Sequence, residues 1–151
     1  MKKKIEKTFL GLAIGDALGV PVEFKSRFEL QQNPVKTMRE FGSHHQPRGT
    51  WSDDSSLTFC LAESLCKGYN TKAIAANFVR WYSENYWTAH GEVFDIGITT
   101  SKAINSFAKG TPPTLAGGTG EFDNGNGSLM RISPLVFYIK DMPIEERFQR
   151  V

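Results

Sequence analysis

Apolar residues recur at helical spacing along nearly the whole chain, and no alternating strand pattern persists anywhere. That points to an all-α, compact multi-helix fold. Ile5, Phe9, Leu12 and Ala13 form an i, i+4, i+7, i+8 stripe, the mark of a helix with one buried face. Pro21 marks its end. Gly11, Gly15 and Gly19 recur every four residues on that helix. Such spacing lets another backbone approach closely, at some cost in helix propensity. A second helix is expected over Ser55–Lys67, with Leu57, Cys60, Leu61, Ser64 and Leu65 on one face and Gly68 as its stop. Asn70 or Thr71 caps a third, through Ile74, Phe78, Trp81 and Tyr82. A fourth is expected over Asp95–Ala108, a fifth over Ser128–Ile139 with an interruption at Pro134, and a sixth from about Ile144. Between them lie a polar loop, Lys25–Thr50, with one helical turn near Phe28, and the glycine-rich stretch Thr111–Gly127.

At 151 residues the chain has the size of one domain, 1–151. Its 40% hydrophobic and 23% charged residues are those of a globular protein. The net charge of +2 is too small to argue for a nucleic-acid partner, and Lys2-Lys3-Lys4 reads as a solvated helix start. No apolar run approaches the roughly 20 residues of a membrane helix, and no signal-peptide core is present. Cys60 and Cys66, six apart on one helix, face different ways and cannot easily bridge. Two buried thiols and no leader make the cytoplasm the expected compartment.

Chemistry concentrates in three stretches: Gly15-Asp16-Ala17-Leu18-Gly19 on to Glu23, Trp51-Ser52-Asp53-Asp54-Ser55, and Gly125-Asn126-Gly127-Ser128-Leu129-Met130-Arg131. The middle stretch sets two carboxylates between hydroxyls where a loop enters a helix. One carboxylate satisfies a helix cap; a second adjacent one repels the first and makes a hard cation such as magnesium attractive. The residues alone favour a cap and leave the metal role open. Asp16, inside an apolar helix, needs a partner, and the backbone of a neighbouring loop is the favoured one. Asp95 reads first as a cap and second as a carboxylate that orients a sugar hydroxyl or accepts a proton. The Gly117–Gly127 loop, read as ending at a helix N-terminus, can present N–H groups to phosphate, though it matches no nucleotide motif. Arg131 pairs more naturally with a protein carboxylate than with phosphate. His44 and His45 lack metal-ligand spacing and receive no role.

Together these stretches resemble the ADP-ribosylglycohydrolase family, which includes the dinitrogenase reductase-activating glycohydrolases. The resemblance runs through Gly11 to Phe24, Gly49 to Leu57, Phe94 to Gly97 and Gly125 to Leu135, in order. It implies an all-helical fold with two magnesium ions in a cleft, manganese being the alternative metal. The implied reaction cleaves the ADP-ribose C1″ linkage to a protein side chain or small acceptor. The implied partners are therefore an ADP-ribosylated protein or a small molecule containing ADP-ribose. By motif position Ser52, Asp53 and Asp54 are the implied metal ligands, with Ser52 where the family often has threonine. Glu23 and Asp95 are the implied catalytic carboxylates. Gly125, Asn126, Gly127 and Ser128 are the implied loop around the ribose and diphosphate. The family's chains are usually longer, and their late Asp-x-Asp-Thr motif has no counterpart here. The expectation is thus an N-terminal portion holding part of the metal site. The alternative is a non-catalytic ADP-ribose-binding or crystallin-like structural member of the same fold.

Overall fold

The computed structural model describes residues 1–151 and contains helices but no strands. In chain order the helices are α1 (Lys2–Gly19), α2 (Arg27–Gln32), α3 (Asp53–Cys66), α4 (Thr71–Glu84), α5 (Ile98–Ala108), α6 (Ser133–Ile139) and α7 (Ile144–Phe148). Short 3-10 turns at Val20–Val22 and Pro113–Leu115 punctuate them.

Local chemistry explains most boundaries. Pro21 lies in the 3-10 turn that ends α1, as its missing N–H requires. The turn expected near Phe28 is α2, closed by a reciprocal Ser26–Glu29 capping box. Asn70 caps α4 by accepting from the Lys72 and Ala73 N–H groups. Three boundaries differ from expectation. The second helix starts at Asp53 rather than Ser55. The fourth starts at Ile98, behind a Gly97 cap. The fifth is confined to Ser133–Ile139 because Pro134, allowed only in a first turn, sets where it begins.

The central element is α3, which packs against α1, α4 and α6, while α4 carries α5. Its predicted face is buried: Leu57, Cys60, Leu61 and Leu65 join Phe78, Trp81, Ile104, Leu135 and Ile139 in one core. Cys66 corrects an expectation. Cys60 is buried and Cys66 exposed, because six helical residues turn the side chain roughly 240° away from the core face. The glycine stripe on α1 corrects another: a Cβ on Gly11, Gly15 or Gly19 would meet no atom within 4 Å. No backbone approaches there, and the neighbouring Leu10 and Ile14 are exposed. No helix is long and apolar enough to cross a membrane.

Candidate active site

The site begins with a cap supplied from outside its own helix. Asp16, on α1, accepts from the Ser52 N–H at 3.0 Å and the Ser55 N–H at 3.1 Å. It also accepts from the Ser52 hydroxyl at 2.8 Å and the Ser55 hydroxyl at 2.6 Å. This is the backbone-acceptor role expected of Asp16, and its loop partner is the entry to α3. Ser52 occupies the cap position of α3 without capping through its own side chain. Asp53 and Asp54 therefore sit inside the first turn, relieved of capping duty.

Their environment is strongly acidic. Burial pushes the Asp53 carboxyl up to about 8, with the charges of Asp54, Asp95 and Asp16 adding to the rise; the Ser52 hydroxyl opposes it. Asp54 is raised by burial and then by Asp16, with Glu23 contributing. Burial raises Asp95 to about 7, helped by the facing Glu23 and opposed by His44. No lysine or arginine lines the cavities where these carboxylates meet.

A second cluster forms at the end of α1. Glu23 follows the 3-10 turn, and Asp95 lies in the lead into α5 with a left-handed φ of 60°. Asp95 is therefore not the helix cap its position suggested; Gly97 is. Beside the two carboxylates stands His44, with Nε2 at 2.5 Å from Glu23 Oε2 and 3.7 Å from Asp95 Oδ1. Sequence reasoning missed it. A histidine in a polar loop carries no local signal of a partner 21 residues away.

These elements enclose a cleft of about 520 Å³, into which Glu23, Asp53, Asp54, Asp95, Gly125, Asn126 and Gly127 all face. Gly127 comes so close to α5 that a Cβ would lie 2.6 Å from the Thr100 hydroxyl oxygen. An adjoining cavity of about 450 Å³ shares Glu23, Asp54 and Asp95 and adds Gly15, Asp16, Gly19 and Ser52. Ser128 lies elsewhere, lining a separate cavity with Arg131. Nor does the glycine-rich loop run into a helix N-terminus, since turns intervene before α6 begins at Ser133. Arg131 makes no ion pair within 4.0 Å; burial disfavours its protonated form and the Asp53 charge favours it. Its guanidinium lies 4.8 Å from the Phe78 ring centroid, and its Nη1 is buried without a partner.

Comparison with known proteins identifies the family. The ADP-ribosylglycohydrolase family profile matches residues 1–151. The chain belongs to the ADP-ribosylglycohydrolase family. It is 35% identical to an ADP-ribosylarginine hydrolase of Pseudomonas putida over 85% of its own length and 34% of that protein. It is 31% identical to the ADP-ribosyl-[dinitrogen reductase] glycohydrolase of Rhodospirillum rubrum, over 83% of this chain and 41% of the relative. A solved structure described as an ADP-ribosylglycohydrolase-related protein complex superposes with a TM-score of 0.72 at 38% identity, covering 89% of this chain and 42% of that one. The chain thus spans between a third and a half of the length of these relatives.

Within this family member two groups of side chains could hold a cation. Glu23, His44 and Asp95 each offer a ligand atom, all within 4.8 Å of one another. There, however, the imidazole is already hydrogen-bonded to Glu23. Asp53 and Asp54 have no such occupant. Two clustered carboxylates with raised pKa values and a neighbouring serine oxygen are the hard, anionic donor set that suits a divalent cation.

Proposed function

We propose that this chain forms part of a magnesium-dependent hydrolase that cleaves the ADP-ribose C1″ linkage to arginine on a protein or to a small acceptor. The observation that carries this reading is the shared cleft. Glu23, Asp53, Asp54 and Asp95 face the Gly125–Gly127 loop across a space large enough for a ribose and its phosphates. The relatives' names supply the choice of arginine.

In this reading Ser52, Asp53 and Asp54 hold the cation. The proton that burial keeps on Asp53 is released as positive charge arrives, so binding strengthens as pH rises. When bound, the cation supplies Lewis-acid polarisation of the ribose hydroxyls. Asp95 orients a ribose hydroxyl or takes the proton of the attacking water, and Glu23 lies beside it. Water adds its oxygen to C1″ as the bond to the acceptor breaks, and the acceptor leaves with a proton. Backbone N–H groups of Gly125 to Gly127 donate to the diphosphate oxygens. The family resemblance implies two cations, and these side chains supply ligands to that centre. Two free cysteines, Cys60 and Cys66, accord with a reducing cytoplasm.

The test is turnover of ADP-ribosylarginine, ADP-ribosylserine and O-acetyl-ADP-ribose with and without magnesium. It is run on this chain and on any longer polypeptide that contains it. Magnesium-dependent release of arginine is expected. Binding of ADP-ribose without turnover of any substrate would instead make the protein a binding module of the family. No binding and no turnover by a folded protein would sink both readings.

A further inference from the structure

We infer that His44 is a positioning residue that holds the Glu23 carboxylate against Asp95 in the lining of the cleft. Its kinetic consequence rests on the hydrolase reading above; its geometry does not.

The turn that carries His44 is built around the end of α1. Phe41 and His45 both adopt left-handed backbone, at φ 53° and 54°, a conformation that costs an L side chain roughly 1–2 kcal/mol. Gly42 lies so close to Pro21 that any Cβ would overlap the Pro21 carbonyl. The Ser43 N–H donates to that same carbonyl at 3.1 Å. The Ser43 hydroxyl donates to the Glu23 carbonyl at 2.5 Å. The Phe41 N–H closes the turn on the Gln46 carbonyl at 2.8 Å. A loop that merely needed solvation would require none of these constraints. Their common product is a fixed distance between residues 42–44 and residues 21–23.

That fixed distance delivers the imidazole. Phe24 and Phe94 flank the ring, with centroids at 5.7 and 5.4 Å, and its side chain is 14% exposed. Nε2 is bonded to Glu23 Oε2 and lies 3.7 Å from Asp95 Oδ1; toward a carboxylate the nitrogen is the donor. A histidine kept only for packing would turn its nitrogens to backbone or water. This one turns Nε2 to two carboxylates that both face the cleft. Glu23 follows a 3-10 turn and Asp95 precedes a helix by three residues, so neither is held by regular structure. The carboxyls of Glu23 and Asp95 also pair directly with each other, and the His44 nitrogen fixes the Glu23 side of that pair.

Two measurements on the same protein test this. In the first, imidazole N–H resonances are recorded for wild type, His44→Ala, Glu23→Gln and His45→Asn. One downfield N–H signal should vanish in His44→Ala, move in Glu23→Gln and be untouched in His45→Asn. A His44 ring that does not respond to Glu23→Gln would overturn the proposal. In the second, His44→Ala should lower kcat by roughly 10²-fold, the cost of a misplaced reacting group, with KM changed only a few-fold. His44→Gln, whose amide N–H can reach the same oxygen, should recover part of that loss. Full kcat in His44→Ala would also overturn the proposal. Absence of turnover in wild type would count against the hydrolase reading alone, leaving the resonance measurement to decide on His44.

Discussion

Asp16 and Asp54 lie either side of the junction between α1 and α3, and they are opposites. Asp16 is saturated, taking four donors from Ser52 and Ser55. Asp54 receives only the Ser52 hydroxyl, at 3.5 Å, and faces Asp16 and Glu23 with its pKa raised. One carboxylate is spent on holding two helices together, and the other is kept with a single long hydrogen bond at a cost in stability. The structural duty of a capping acid can thus be moved to another helix. The acids in the first turn are then free to bind something.

Replacing each in turn gives the largest contrast. Asp16→Ala strands two N–H groups at the entry to α3, each costing about 1–3 kcal/mol when buried unsatisfied. Unfolding in denaturant should show a loss on the order of 3 kcal/mol or more. Asp54→Ala should leave stability unchanged or improved, because it removes a mutually repelled charge, while abolishing magnesium binding measured by calorimetry. If Asp54→Ala destabilised as much as Asp16→Ala, the division of labour would be wrong.

The pH dependence sharpens the same contrast at smaller scale. Folding raises Asp53 from an ordinary 3.8 to about 8, so the folded chain holds that proton more tightly than the unfolded one. Stability from this source is fully present below about 4 and is lost as pH rises through 8. Asp95, raised to about 7, acts in the same direction. Thermal unfolding without divalent cations should therefore occur at progressively lower temperature between pH 4 and 8. Magnesium should offset the fall most at the upper end. Asp53→Asn should flatten the slope; an unchanged slope in that variant would remove Asp53 as its source.

What could be read from the residues divides along the same line. Apolar periodicity located the buried face of α3 because Leu57, Cys60, Leu61 and Leu65 follow one helical stripe, and a stripe is a local property. Asn70 was legible as a cap for the same reason. Asp16 was legible in kind, since a carboxylate in an apolar helix must find donors, but not in its effect on Asp53. Asp95 was misread as a cap because a left-handed residue three positions before a helix looks, in sequence, like a helix start. His44 was invisible because its role is created by Gly42 and Ser43 docking on Pro21 and Glu23, a contact no spacing rule anticipates. The family resemblance grouped Glu23, Asp53, Asp54 and Asp95, yet it also drew in Ser128, which faces another cavity.

The smallest expected effect concerns the glycines of α1, and it separates two uses of empty space. A Cβ on Gly11 or Gly15 would meet nothing within 4 Å, so neither glycine is required by packing among residues 1–151. Alanine is the better helix former by about 0.8–1 kcal/mol. Gly11→Ala and Gly15→Ala should each raise the unfolding temperature by about 2–4 °C. Gly15, however, lines the cavity that holds Asp16, Ser52, Glu23 and Asp54, whereas Gly11 does not line it. Weaker ADP-ribose binding in Gly15→Ala alone would mean that the open space at Gly15 belongs to the ligand. Equal binding by both variants would remove α1 from the ligand's footprint and confine the site to the cleft beside Asp53 and the Gly125–Gly127 loop.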